Sequence, residues 1–466
     1  MASHPSSALA WLWLVAVTLC SLQCYASAAP LTLHAAQFVF DAGAAPPPDA
    51  GAWQAQDLPD NWNLSRPGVR GFGWYRVRFD LPTQPQQVFA VYLRKLSMNA
   101  AVYVNRHNVG DGGRFSEPVA RHWNRPLLFT VPPELLQAGE NILHVRLWAY
   151  PNSRGGLDEI QVGPKAHLYP VYERRYFIQT ILPQLCNIVV AALGLFALAI
   201  GIRQRTDSTY VFFFVFSLLW AFRSTHTFVR DVPMPAFLWD IWVQSSHGWC
   251  TLLFIVLAMR YSGVRWRSFD AGLIAYGVLG PIVMYFGGPA KLHSIANNWS
   301  FVMVPVAIFF EGFLIREAWR TRSVVSALLA AVWALIIAAS THDGLVHRNK
   351  LAFDSFYLTS YVMVLLSFVM GWLLVRRFVS ALDIAEKLNL ELEQRVTQKH
   401  AELDQNFRRL QAMQRHSAIA EERSRLMSEM HDGVGSQVIA TLDAVERGQS
   451  QPGDIARDLR DILDSL

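Results

Sequence analysis

The chain has 466 residues, 52% of them hydrophobic, and a formal net charge of +5. Several mostly apolar runs of about 18–25 residues exclude a single soluble domain and point to a membrane protein of about two to four domains. The positive charge sits in loops beside those runs, so a membrane accounts for it and no direct nucleic-acid binding is expected. The four cysteines are Cys20, Cys24, Cys186 and Cys250, two in the leader and two in apolar runs. That leaves no disulfide between leader and first span, and no cluster with metal-ligand spacing, so no metal is expected.

In chain order, residues 1–29 read as a signal peptide, with an apolar core from Trp11 to Leu19 and Ala26-Ser27-Ala28 as a small-residue cleavage site. No Lys or Arg precedes the core, which keeps an uncleaved anchor open as the alternative.

Residues 30–175 read as an all-β sandwich. Trp74 to Phe79, Val88 to Leu93, Ala101 to Val104 and Ile142 to Trp148 alternate with period two, and Pro82, Pro85, Asn105, Gly110, Gly113 and Gly139 mark turns between them. The order Trp-Tyr-Arg-x-x-Phe, Val-Tyr-Val-Asn and Gly-Glu-Asn-x-Leu resembles the galactose-binding-like jelly roll of carbohydrate-binding modules. That resemblance implies an extracellular small-molecule ligand of carbohydrate type. Trp53, Trp62 and Trp123 are candidates to stack on a sugar ring, against the alternative that they pack the core. No pair of carboxylates suited to glycoside hydrolysis stands out.

Seven apolar segments follow, near Phe177–Gly201, Tyr210–Phe228, Phe237–Met259, Ala271–Phe286, Trp299–Phe313, Val324–Ser340 and Phe356–Val375. In lipid each must be helical to satisfy its own backbone. Arg203 and Arg205, then Arg260, Arg265 and Arg267, then Arg316, Arg320 and Arg322, then Arg376 and Arg377 follow alternate segments. The bias places these loops and the C-terminus in the cytoplasm and the β domain outside. Asp240, His247, Glu311 and His342 fall within or at the edges of spans, where an ionisable group is costly; His247 is the best internal candidate. A leader, an outer β domain and seven spans resemble the bacterial seven-transmembrane receptors with diverse intracellular signalling modules. The resemblance implies an inner-membrane receptor with residues 176–377 as its bundle.

Residues 378–415 are polar and lack Pro and Gly. Leu382, Asn389, Val396, Leu403 and Leu410 recur every seven residues, with Ala385, Leu392, Lys399, Asn406 and Met413 three behind. That seam predicts a parallel dimeric coiled coil, against a long solvated helix leaning on a partner.

Residues 416–466 carry the chemistry. Leu426, Met430 and Val434 share one helical face, and His431 and Asp432 sit beside it. Glu422, Arg423, Arg425, Leu426, Glu429, Met430, His431, Asp432 and Gly435 match the phosphoacceptor box of sensor histidine kinases related to the nitrate/nitrite sensors, and the run resembles that family. The resemblance implies autophosphorylation of His431, with Asp432 orienting the imidazole or acting as base, and transfer to an Asp of a response regulator. It implies a homodimer whose paired hairpins form a four-helix bundle. It also implies ATP with Mg2+, but the sequence contains no nucleotide-binding loop, so ATP is expected on a domain beyond Leu466 or supplied in trans. Gly433 and Gly435 weaken the helix, and a bend near His431 would suit a site that must meet two different protein surfaces. Phosphatase members of the family often carry Gln four residues after the Asp. Here Ser436 holds that place and Gln437 follows, about 100° further round the helix, which argues against phosphatase activity. The readings from other classes are a non-catalytic receptor or phosphorelay scaffold, and a transporter with an accessory sugar-binding domain.

Overall fold

The computed structural model describes residues 30–149, 155–203, 207–261, 264, 266–348, 350–448 and 451–464. Residues 1–29, read above as a signal peptide and holding Cys20 and Cys24, lie outside the described residues. The chain divides into two compact units, Met1–Arg376 and Arg377–Leu466.

Among the described residues the first unit begins with thirteen strands: β1 Leu31–Leu33, β2 Ala35–Phe40, β3 Gln54–Asp57, β4 Asp60–Asn61, β5 Gly71–Leu81, β6 Phe89–Leu93, β7 Leu96–Ser97, β8 Asn99–Val104, β9 His107–Asp111, β10 Leu127–Val131, β11 Gly139–Ala149, β12 Gly156–Leu157 and β13 Ile160–Pro164. They form sheets in the orders β1-β13-β6-β10, β3-β2-β5-β11-β8-β9 and β4-β12-β7. The period-two pattern decides which side chains meet. Tyr75, Val77 and Phe79 of β5 and Leu143, Val145 and Leu147 of β11 face inward, onto Val91, Leu93, Phe129 and Val162 of the four-stranded sheet. The sandwich expected from the sequence is therefore present.

A short helix, α1 (Trp62–Ser65), drops Trp62 into this core. Its indole donates to Tyr75 Oη at 2.6 Å, and Tyr75 donates to Asp60 at 2.6 Å. Arg66 pairs with the same carboxylate at 2.5 Å. Each buried polar group is thereby answered.

The sandwich ends at Pro164, and residues 165–175, read from the sequence as sandwich, are instead helical: α2 runs Lys165–Tyr176. Leu168 and Tyr172, four apart, pack on Ala90 and Tyr92 of β6. A π-helical turn, Phe177–Ile181, leads into α3 (Leu182–Arg203). Then come α4 (Thr209–Ser224), α5 (Ala236–Tyr261), α6 (Arg267–Thr321), α7 (Val324–His347) and α8 (Thr359–Glu446). Among the described residues, five helical stretches are long and apolar enough to cross a membrane: Lys165–Arg203, Ala236–Tyr261, Arg267–Thr321, Val324–His347 and Thr359–Glu446. α4 has 16 residues and ends in a 3-10 turn, Thr225–Thr227.

α6 is a hairpin. Gly288 takes φ 71°, ψ 172° inside it, a conformation open to glycine, and Pro289 restarts the helix where no N–H is needed. Tyr276 Oη donates to the carbonyl of Trp299 at 2.8 Å, and their rings stack 4.9 Å apart, although they are 23 positions apart in sequence. A straight helix would separate them by about 35 Å. The two arms hold the separate apolar segments 271–286 and 299–313, and Met284, Leu292 and Ala296 cluster with Ile241 of α5.

The second unit holds α8 from Arg377 onward and α9 (Pro452–Asp464). α8 stays helical through Gly433 and Gly435, so the two glycines do not break the helix. Two glycines cost about 1–2 kcal/mol, little beside the intrahelical bonds that a break would forfeit.

Candidate functional site

His431 and Asp432 lie exposed on α8. Among the described residues neither side chain makes a hydrogen bond or ion pair, so the expected bond from His431 Nδ1 to Asp432 is not formed. Consecutive helical residues point about 100° apart and do not face each other. Arg425 donates to Glu422 at 2.8 Å and lies 3.8 Å from Glu429, one turn either way. Arg423 and Gln437 are exposed, and Ser436 Oγ donates back to the carbonyl of Gly433 at 2.9 Å. Leu426 and Met430 remain 49% and 40% exposed, so the apolar face beside His431 is uncovered. The arrangement leaves both imidazole nitrogens open to an incoming electrophile. Among the described residues no group of three His, Cys, Asp or Glu could hold a metal ion.

The three tryptophans do not form one site. Trp62 is 2% exposed in the sandwich core, so no ring face is available to a sugar. Trp53 is half-buried on the outer face of the six-stranded sheet, with the Arg76 guanidinium 4.3 Å from its ring and His144 at 5.9 Å. Trp123 stacks on His226 at 5.6 Å and meets Tyr357 edge-on at 5.3 Å, where the sandwich joins the helices. The alternation of β5 and β11 already put Trp74, Arg76, His144 and Arg146 on one face; only a covering segment, invisible to periodicity, makes that face unusual.

The span-edge groups also find places. Asp240 pairs with Arg121 of the sandwich at 3.2 Å. His342 Nδ1 lies 3.1 Å from Asp343, whose carboxylate accepts from the N–H groups of Leu358 at 2.8 Å and Thr359 at 2.9 Å, closing the start of α8. His247 Nδ1 and Glu311 Oε2 are buried with no hydrogen-bond partner.

No protein-family model and no curated protein matches the chain. Among solved structures, similarity extends to a β-glucuronidase from glycoside hydrolase family 2, at TM-score 0.25 and 16% identity over 30% of this chain and 18% of that one. A β-glucuronidase from Ruminococcus gnavus matches at TM-score 0.24 and 15% identity over 28% of each chain. A glycoside hydrolase family 2 member from Bacteroides cellulosilyticus matches at TM-score 0.23 and 18% identity, over 29% of this chain and 21% of its own. The chain thus spans less than a third of the length of each.

Proposed function

We propose that the chain is a sensor histidine kinase subunit of a two-component phosphorelay, with His431 as its phosphoacceptor. The observation that carries this reading is an exposed histidine on the flank of a continuous helix, inside a box of Glu422, Arg423, Arg425, Glu429 and Asp432, beside an uncovered apolar face. Nε2 takes the phosphoryl group as the bond to leaving ADP breaks, and the group passes on to an Asp of a response regulator. ATP and Mg2+ are held on a domain that continues the chain or is supplied in trans, since the sequence carries no nucleotide-binding loop. Asp432 reaches the imidazole only after a rotamer or backbone change, and then favours its nucleophilic form.

The subunit sits in a bacterial inner membrane with seven passes, counting α4 and both arms of α6. Its sandwich faces the periplasm and receives a small-molecule ligand, its C-terminal unit faces the cytoplasm, and it works as a homodimer. Full-length chain in detergent, mixed with labelled ATP and a soluble kinase ATP-binding domain, is expected to take up acid-labile, base-stable phosphate. His431→Gln abolishes the uptake, and Asp432→Asn lowers its rate by about tenfold to a hundredfold. Uptake unchanged in His431→Gln would falsify the proposal and favour a receptor without phosphorelay chemistry.

A further inference from the structure

The outer face of the six-stranded sheet carries a second constellation. In register, Gln37, Arg76, His144 and Tyr103 form one row across β2, β5, β11 and β8. Val39, Trp74, Arg146 and Ala101 form the next. With ordinary strand spacing the two rows make a platform of roughly 14 by 7 Å, on which a pyranose ring and its hydroxyls fit. The Trp74 and Tyr103 rings lie 5.4 Å apart, tilted by 47°.

Residues 41–53 cross this platform as a strap. Before Trp53 the strap contains only Ala, Gly, Pro and two aspartates, and Pro46 and Pro47 are buried while their neighbours are exposed. Its ties run from donors on the sheet to oxygens on the strap. Tyr103 Oη donates to Ala44 O at 2.7 Å, Arg146 to Ala42 O at 3.0 Å and Arg106 to Pro46 O at 3.2 Å. Arg76 donates to the Asp49 carboxylate at 3.0 Å and to its carbonyl at 3.3 Å.

Beneath the strap, Trp74 Nε1, both nitrogens of His144 and Arg146 Nε are buried with no hydrogen-bond partner. Trp74 is 0% and His144 1% exposed. A buried polar group left unpaired costs about 1–3 kcal/mol. The strap therefore covers a donor-rich face without satisfying it.

We infer that this face is a binding site for a sugar acid, a hydroxyl-rich ring bearing a carboxylate, and that the strap stands in for the ligand, with Asp49 holding the carboxylate's place on Arg76. The inference rests on the reading of the sandwich as the ligand-receiving domain. With the strap displaced, Arg76 loses the Asp49 carboxylate, and Arg106 and Arg146 lose the Pro46 and Ala42 carbonyls. An anion then replaces them. Trp74 and Tyr103 supply aromatic surface for the ring. Burial, aided by the Arg76 charge, pushes His144 down to about 4. Its neutral imidazole offers one donor and one acceptor, which suits a hydroxyl.

The test is calorimetric titration of the full chain in detergent micelles with glucuronate, galacturonate and their neutral parents glucose and galactose. Uronate binding at least tenfold tighter than neutral-sugar binding is expected. Arg146→Gln should weaken uronate binding at least tenfold while the sandwich still melts in a cooperative transition. Asp49→Asn, on an exposed strap residue, should tighten it about threefold or more by loosening the strap. Uronate binding insensitive to both substitutions overturns the site but leaves the sandwich as a ligand-receiving domain. Equal binding of neutral sugars overturns the ligand class. No binding by the wild type or Asp49→Asn overturns both, whereas phosphate uptake at His431, measured separately, judges the output reading alone.

Discussion

Two buried histidines set the pH response of the sandwich. His122 Nε2 donates to the carbonyl of Gly112 at 2.6 Å, and His144 lies under Trp53. Burial is the main cause that lowers each from 6.5 to about 4, so the folded state holds the neutral ring and the unfolded chain protonates first. Stability is therefore fully present above pH 6.5 and is lost as pH falls from there toward 4, at up to about 3 kcal/mol per group. Chemical unfolding of the full chain, followed by tryptophan fluorescence, should show a midpoint that falls over this window. His122→Gln and His144→Gln should each flatten the curve; a midpoint flat from pH 4 to 7 in the wild type would contradict the assignment. The Tyr75 phenol adds no sensitivity here, because burial, with Asp60 second, raises it well above its usual range.

Among the elements, α8 carries the seam read from its heptads, and the structure shows that seam uncovered within one chain. Leu382, Leu392, Val396, Leu403, Leu410 and Met413 are all about half exposed or more. Apart from Asn389, Lys399 and Asn406 the seam is apolar, and in the homodimer proposed above a second copy would cover it. Leu403→Glu with Leu410→Glu should weaken self-association of the full chain at least tenfold in analytical ultracentrifugation, while leaving the sandwich melting transition in place. An unchanged dimer fraction would show that pairing lies elsewhere. α6 makes the complementary case. Its two apolar runs are evident from composition, but their antiparallel return depends on one positive-φ glycine followed by proline.

At the scale of the whole molecule, the first unit is held together by charge at the junction of sandwich and helices. Asp354 meets Arg94 at 3.3 Å and Arg175 at 3.6 Å, while Arg94 also binds Asp158 at 2.8 Å. Asn124 donates to the carbonyls of Gln179 and Thr227 at 3.0 and 3.3 Å, and Arg125 to that of Phe228 at 3.0 Å. The sandwich thus grips the π-helical turn before α3 and the connection after α4. Asp354→Asn takes the carboxylate from Arg175 and one of three from Arg94, which keeps Asp158 and Glu159, and should cost about 1–3 kcal/mol. Hydrogen exchange in 177–181 and 225–231 should rise in that variant with the sandwich core still protected. Unchanged exchange would mean that the carbonyl bonds alone hold the junction.

The sequence by itself determined the strands of the sandwich, the apolar helices, the heptad seam and the exposed setting of His431, because each is written in a local period of two, three and a half or about 3.6 residues. Tertiary structure alone decided that Trp62 is core and Trp123 a junction residue, that Asp240 answers Arg121, that α6 turns back at Gly288, and that a proline strap lies over Arg76 and His144. Those outcomes depend on which distant segments come into register, and a partner brought in from far along the chain leaves no periodic trace in its neighbours.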